Sequence, residues 1–269
     1  MEQGHRLATL ADGLKRIARS VAQLYDEIER CNDGGALRAG EVLGNLGREE
    51  AGKFLILIDS ARDPSLKGGD LSNHFGRAGN HLAKLIYAQM ADYALADRKE
   101  LFGAVQTCRY SHHLDGPSDY DWIFRNELIA EREEAMYVDL IDNEGDLTWW
   151  GPSERFAHTP QKSLRLVVAI DQAGLTSVEG LRSLSASWDG FDHDANSHHA
   201  EWCERNQAAF ASVSSNVDTD RNAAAFAAWE WPMPLTRIDL SEIPVTTAGL
   251  QAQRQALFDA EMAREYGME

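Results

Sequence analysis

A charged stretch at residues 45–54 reads Asn45-Leu46-Gly47-Arg48-Glu49-Glu50-Ala51-Gly52-Lys53-Phe54. Apolar residues recur through and beyond it at helical spacing, so the sequence predicts a helix from about residue 36 to just before Asp63-Pro64. Glu50 comes four residues after Leu46 and four before Phe54, which predicts that it projects from the apolar face with Lys53 beside it. Because burying an unpaired charge costs several kcal/mol, such residues need partners in the core or in a polar cleft.

The neighbouring segments offer those partners. Helical periodicity predicts a first helix over residues 5–30, closed by an Asn-Asp-Gly-Gly turn, and a third helix over residues 75–93. On the third helix, Arg77, His81 and Lys84 are spaced by four and three residues, which predicts one common stripe. We therefore expect the second and third helices to pack together with Glu49 or Glu50 within ion-pairing distance of a base.

The rest of the chain predicts a mainly α fold with one short β-hairpin. Residues 122–135 have a helical pattern, and residues 137–150 alternate around an Asn-Glu-Gly-Asp turn, as a hairpin does. Further helices are predicted at 161–173, 176–188, 195–213 and 247–266. We expect an N-terminal bundle with the hairpin over residues 1–155 and C-terminal helices over 156–269, forming one continuous domain.

Charge narrows the classes of partner. The chain has 26 Lys and Arg against 43 Asp and Glu, a formal net charge of −17, so nonspecific binding of duplex DNA is not expected. An enzyme that acts on nucleic acids would need a cleft in which basic residues outweigh the negative charge of the whole chain. No apolar run reaches membrane-spanning length, and no membrane partner is predicted. Together with three widely spaced cysteines, which indicate neither a disulfide framework nor a zinc site, this predicts a cytoplasmic protein.

A second candidate site lies in the C-terminal half of the chain. Asp192, His193, Asp194, His198 and His199 could hold a divalent metal if their loop folds back on the following helix. The favoured interpretation is instead that Asp194 or Asn196 caps that helix, so no metal and no other cofactor is predicted.

The other groups are flanked by turn formers or aromatic residues. Arg109, His112 and His113 precede a segment rich in Ser, Gly and Pro, which predicts a solvated loop. Trp229 and Trp231, with the prolines that follow, are predicted to fill the core or an interface.

The second and third helices and the hairpin together resemble the AbiV family of bacterial abortive-infection proteins, within the HEPN-like helical superfamily. The resemblance spans about residues 36–190. Its matching elements are Glu49-Glu50-Ala51-Gly52-Lys53, Phe75, His81, Lys84, Tyr137-Val138-Asp139 and Trp150-Gly151-Pro152. It implies a HEPN-like helical bundle that acts in phage defence and is commonly dimeric, with relatives that include metal-independent endoribonucleases.

In such nucleases an Arg steadies developing charge while a His moves protons, as the ribose 2′-hydroxyl attacks the adjacent phosphate. The resemblance therefore implies a candidate catalytic set, whose members are Arg77, His81, Lys84, Glu50 and Lys53. The superfamily signature places four to six residues between its Arg and His. Arg77 and His81 are separated by three residues, as are Arg109 and His113.

The sequence leaves two functions open. The first is a metal-independent ribonuclease of phage defence that depends on Arg77 and His81. The second is a noncatalytic helical protein that binds a phage or host partner and controls translation or a toxin. A third interpretation of the charged residues is a buried polar network that only fixes the packing of the helices.

Overall fold

The computed structural model describes residues 3–114, 122–143, 146–150, 162–214 and 221–243. These residues form ten α-helices, one short 3-10 turn at Arg77–Gly79 and two small antiparallel ribbons, so the predicted mainly α fold is confirmed. The helices are α1 Gln3–Asp33, α2 Leu37–Arg62, α3 Gly68–Gly76, α4 His81–Asp92, α5 Arg98–Tyr110, α6 Glu127–Met136, α7 Lys162–Gln172, α8 Val178–Ser187, α9 His199–Ser214 and α10 Arg221–Glu230. The strands are β1 His112–Leu114, β2 Trp122–Asn126, β3 Asp139–Asn143 and β4 Asp146–Trp150.

Helix α2 is the centre of the fold. Helices α1, α4, α6, α7 and α8 all contact it, and most of its second half is buried. Helix α1 packs along it through Leu14, Val21 and Ile28, which are fully buried. The chain turns between the two helices at Gly35, whose φ of +72° favours glycine.

Two glycines of α2 let its neighbours come close. A Cβ atom at Gly52 would lie 1.9 Å from the backbone oxygen of Lys84, so α4 can sit at this distance only because residue 52 has no side chain. A Cβ atom at Gly47 would lie 2.8 Å from the side chain of Leu164 on α7. The glycines of the 45–54 stretch thus set the positions of two packed helices.

The predicted third helix is wrong in one respect, because the chain breaks it into α3, the 3-10 turn and α4. Asn80 has an extended backbone, with φ −95° and ψ 124°, and its side chain accepts a hydrogen bond from the amide of Ala83. Asparagine is a favoured N-cap, and Gly76 and Gly79 just before it are poor helix formers. Helix α4 consequently begins afresh at His81.

The predicted hairpin is confirmed by β3 and β4, which pair from Asp139 with Trp150 to Asn143 with Asp146. The two turn residues between the strands lie outside the described residues, as does the predicted helix at 247–266. The predicted division at residue 155 falls within a stretch that is not described and stays a prediction.

Other boundaries were predicted wrongly. Residues 122–126 form strand β2 rather than the start of a helix, because Trp122 to Asn126 pair with β1 and the Asn126 side chain then caps α6. Helix α9 begins at His199, four residues later than expected. Helices α5 and α10 were not predicted.

The C-terminal part of the described chain packs around three buried tryptophans, Trp188, Trp202 and Trp231. The placement of Trp231 in the core is confirmed, whereas Trp229 is 60% exposed. After α10 the segment 231–243 runs back over the end of α2 and buries Leu235, Ile238 and Leu240. No described helix is both long and apolar enough to cross a membrane.

Candidate functional site around Glu49 and His81

Glu49 is a buried acid on α2 with three basic partners from two other helices. Its Oε2 lies 2.8 Å from Nδ1 of His81 and forms a salt bridge with Nζ of Lys84 on α4. Its Oε1 forms a salt bridge with Nε of Arg132 on α6. The expectation that Glu49 or Glu50 would reach a base on the facing helix is confirmed by Glu49.

Local sequence explains this geometry. Because Asn80 caps α4, His81 and Lys84 occupy its first turn, one helical turn apart, on the side that faces α2. Gly52 comes one turn after Glu49 and admits the backbone of Lys84. The acid, the glycine and the two bases are therefore parts of one helix contact.

The sequence alone does not identify Arg132 as a residue of this site. It lies on α6, within the helix predicted over residues 122–135, and no motif marks it. Its neighbour in the chain, Glu131, lies 3.6 Å from Arg48, a buried arginine of α2 that also donates to the side chain of Gln89. Arg48 thus ties α6 and α4 to α2 beside the Glu49 cluster, which we define as Glu49, His81, Lys84 and Arg132.

The cluster carries more positive than negative charge. Burial alone would raise the pKa of Glu49, but the hydrogen bonds and charges of Lys84, Arg132 and His81 outweigh it and lower that pKa below its ordinary value. With Glu49 ionised, Lys84 and Arg132 leave one positive charge even when His81 is neutral. A chain of net charge −17 thus has a locally basic site.

His81 is the accessible member of the cluster. Its side chain is 51% exposed, whereas that of Glu49 is 8%, that of Lys84 10% and that of Arg132 18%. Glu49 binds Nδ1 of the ring, and Nε2 has no hydrogen-bond partner within the described part of the chain. A carboxylate that fixes one ring nitrogen and leaves the other open is the arrangement of a general base.

Glu50 and Lys53, two predicted site residues, lie outside the cluster. They pair with each other at 3.5 Å, and both side chains are about a third exposed. The expectation that Glu50 projects from the buried face is wrong, because its side chain is 32% exposed and pairs with Lys53, although Phe54 on the same stripe is buried. The inward face of α2 follows Glu49, Gly52 and Ile56 instead.

Arg77, the predicted arginine of the site, is also placed elsewhere. It lies in the 3-10 turn before Asn80, so it does not share a helix face with His81. Its guanidinium donates to the backbone oxygen of Leu235 at 3.0 Å. The break at Asn80 is the reason that the predicted stripe of Arg77, His81 and Lys84 does not form.

Arg109 has the same kind of role. It is buried at the end of α5, donates from Nε to the backbone oxygen of Ser241 at 2.7 Å, and pairs with Asp239. The solvated-loop interpretation is therefore wrong for Arg109, while the side chains of His112 and His113 lie outside the described residues. Both arginines that are separated from a histidine by three intervening residues hold the C-terminal segment in place.

Four of the five residues of the candidate metal site have separate partners. Asp192 accepts hydrogen bonds from the amides of Asp194 and Ala195, and His193 lies 3.7 Å from Asp63. Asp194 lies 3.4 Å from Arg98, while Nε2 of His199 lies 2.8 Å from the backbone oxygen of Trp229. In the described ranges, no three His, Cys, Asp or Glu residues are grouped so that they could hold a metal ion.

The described chain is thus a bundle of helices around α2, with a buried acid held by bases of two neighbouring helices. The family model HEPN_AbiV, described as AbiV, matches residues 10–170, which is more than half of the chain. The chain belongs to the AbiV family. No curated protein and no solved structure matches it.

Proposed function

We propose that this chain is a bacterial abortive-infection protein that limits phage growth by cleaving RNA without a metal ion. The AbiV family membership supports the role in phage defence. One observation supports the chemistry: the half-exposed His81 is oriented by the buried Glu49 and flanked by Lys84 and Arg132.

The reaction follows from these groups. Nε2 of His81 takes the proton of a ribose 2′-hydroxyl, whose oxygen then attacks the adjacent phosphorus. The bond from phosphorus to the 5′-oxygen breaks, and the protonated imidazole returns a proton to that leaving oxygen, which yields a 2′,3′-cyclic phosphate and a free 5′-hydroxyl. Lys84 and Arg132 stabilise the negative charge that develops on the phosphoryl oxygens.

Arg132 supplies the cation beside the histidine, the role that the sequence predicts for Arg77. The superfamily mechanism requires a cation beside the histidine, and Arg77 is bonded to Leu235 instead. Glu49 keeps the His81 ring in the tautomer that carries its proton on Nδ1, so that Nε2 can accept a proton. Glu49 is in this proposal a positioning residue.

The test is cleavage of a labelled single-stranded RNA by the purified protein in the presence of a chelator. His81→Ala should lower the rate by about a hundredfold or more, the effect expected when an acid-base group is lost. His5→Ala is the matched control, since His5 is an exposed histidine on α1 and should leave the rate unchanged. Cleavage that survives His81→Ala, or that the chelator abolishes, would contradict the proposal.

A second function, a noncatalytic interaction protein of the same fold, is favoured by one observation. The superfamily's spaced Arg and His are missing, and the nearest substitute, Arg77, anchors the C-terminal segment. This chain would then bind a phage or host protein and control translation or a toxin. Protection against phage that is unchanged by His81→Ala, with no RNA cleavage by the wild type, would decide for this function.

We also propose that the protein acts as a homodimer, by analogy with its family. The β3–β4 ribbon supports this, because Leu140 pairs with Trp149 and Leu147 lies on the same face, and all three are strongly exposed. An exposed apolar face of this kind is typical of an interface. Sedimentation of the wild type should give a dimer and that of Trp149→Ser a monomer, whereas a wild-type monomer throughout the micromolar range would refute the proposal.

A further inference from the structure

A groove lies on the side of the bundle where α1, α7 and α10 meet. Its volume is about 440 Å³, within the range of small-molecule sites. Helix α7 presents its outer face to the groove, at the helical spacing of Arg165, Val168, Ala169 and Gln172. None of these residues belongs to the Glu49 cluster.

The groove exists because small side chains face each other across it. Ala169 of α7 and Ala223 of α10 form part of the lining and are nearly buried, so larger residues would fill the space between the two helices. Aromatic rings border this apolar floor, with Tyr25 from α1 on one side and Phe226 from α10 on the other. The lining thus combines an apolar floor with two aromatic side chains, which offer an apolar ring a surface to pack against.

Two polar side chains at the rim have no ion-pair or hydrogen-bond partner in the described part of the chain. The Arg165 guanidinium lies over the Phe226 ring, with Cζ 4.9 Å from its centroid, and it has no acidic partner within the described part of the chain. Gln172, one helical turn after Val168, has no hydrogen-bond partner there either. Both side chains are exposed, so a ligand in the groove can reach them from the solvent side.

We infer that this groove binds a mononucleotide. A purely apolar ligand would leave Arg165 and Gln172 without a role, and a bare anion would not need the apolar floor. A nucleobase fits between Tyr25 and Phe226 and offers its edge to the Gln172 carboxamide. The phosphate then binds to Arg165, whose planar fork of donors suits phosphate oxygens.

The test is calorimetric titration of the full-length protein with AMP, adenosine and inorganic phosphate, each used separately. AMP should bind, adenosine should bind at least about tenfold more weakly because it lacks the charge-assisted contact, and phosphate should bind more weakly still. Arg165→Ala should reduce the affinity for AMP to that for adenosine and leave adenosine binding unchanged.

Two further variants keep the outcome clear. Ala223→Leu should fill the groove and abolish AMP binding while circular dichroism shows an intact helical fold, and His5→Ala should leave AMP binding unchanged because the exposed His5 lies at the other end of α1 from Tyr25. The inference is overturned if AMP does not bind at millimolar concentration. It is equally overturned if Ala223→Leu binds AMP as the wild type does, or if Arg165→Ala weakens AMP and adenosine binding by the same factor.

Discussion

Glu49 and Asp59 are both buried acids on α2, yet their surroundings differ in a way that separates a site from a structural bond. The Glu49 cluster ends at the half-exposed His81. Asp59 pairs at 2.9 Å with Arg62, whose side chain is fully buried between the rings of Trp188 and Trp231, with Cζ at 4.3 Å and 4.0 Å from their centroids. Only the first of the two reaches a side chain that is accessible from solvent.

The electrostatics of the two regions differ in the same sense. At Glu49, two cations and an imidazole overcome the effect of burial and lower the pKa. At Asp59, burial dominates and raises the pKa to about 6, although Arg62 favours the charged form. One helix thus carries an acid that binds the half-exposed His81 and, further along, an acid that joins the bundle to the C-terminal segment.

The largest expected loss of stability comes from breaking the buried pair of Asp59 and Arg62. Arg62→Ala should lower the free energy of unfolding by about 3–5 kcal/mol, because it leaves the buried Asp59 carboxylate without its cation. The variant also removes the hydrogen bond of 2.6 Å from Arg62 to the backbone oxygen of Pro232. Urea denaturation followed by circular dichroism measures the loss, and a change below about 1 kcal/mol would show that the pair is dispensable.

Breaking the Glu49 cluster should lower the free energy of unfolding by a smaller amount. Glu49→Ala should lower the free energy of unfolding by about 3 kcal/mol, the lower end for a buried pair, because its partners can still reach water. Glu50→Ala is the matched control on the next residue, and it should cost below about 1 kcal/mol, since the Glu50–Lys53 pair is at the surface. Equal effects in the two urea denaturation curves would contradict the assignment of Glu49 as the inward-facing acid.

A smaller loss of stability is expected from a change at the contact between α2 and α4, beside the Glu49 cluster. Gly52→Ala should destabilise by about 2 kcal/mol, because the added Cβ atom meets the Lys84 backbone and pushes α4 away from α2. Gly13→Ala on α1 is the control, since nothing lies within 4 Å of a Cβ atom there. The control should gain up to about 1 kcal/mol, as glycine is a poor helix former. A Gly52→Ala variant as stable as the control would refute the close contact.

The dependence of stability on pH should have opposite signs in the two regions. Glu49 has a lowered pKa in the folded protein, so its contribution is present above the ordinary glutamate pKa and is lost as the pH falls through the lowered value. Asp59 has a raised pKa of about 6, so its contribution is present at low pH and is lost as the pH rises through that value.

Urea denaturation across the range from about pH 3 to pH 8 measures both contributions. The stability difference between the wild type and Glu49→Gln should grow as the pH rises. The difference between the wild type and Asp59→Asn should instead shrink. Curves of the same sign would show that the two acids are not distinguished by their surroundings.

Several features of the fold and the site were predictable from local sequence. The spacing of apolar residues identifies α1 and α2, and the alternation around the Asn-Glu-Gly-Asp turn identifies the β3–β4 ribbon. The 45–54 stretch also indicates that an acid of α2 meets bases of the following helix. These features depend on residues close in the chain, whose periodicity expresses which face is buried.

Tertiary structure alone decided which of those residues meet. Glu49 rather than Glu50 faces inward because the rotation of α2 is set by helices packed on several of its sides, and Arg132 joins the site from a helix 83 residues further along the chain. Arg77 leaves the predicted site because Asn80 ends one helical path and begins another, while Leu235 offers it a carbonyl. Local periodicity carries no information on such contacts, since they depend on how separate helices stack, and that stacking is determined by burial over the whole bundle.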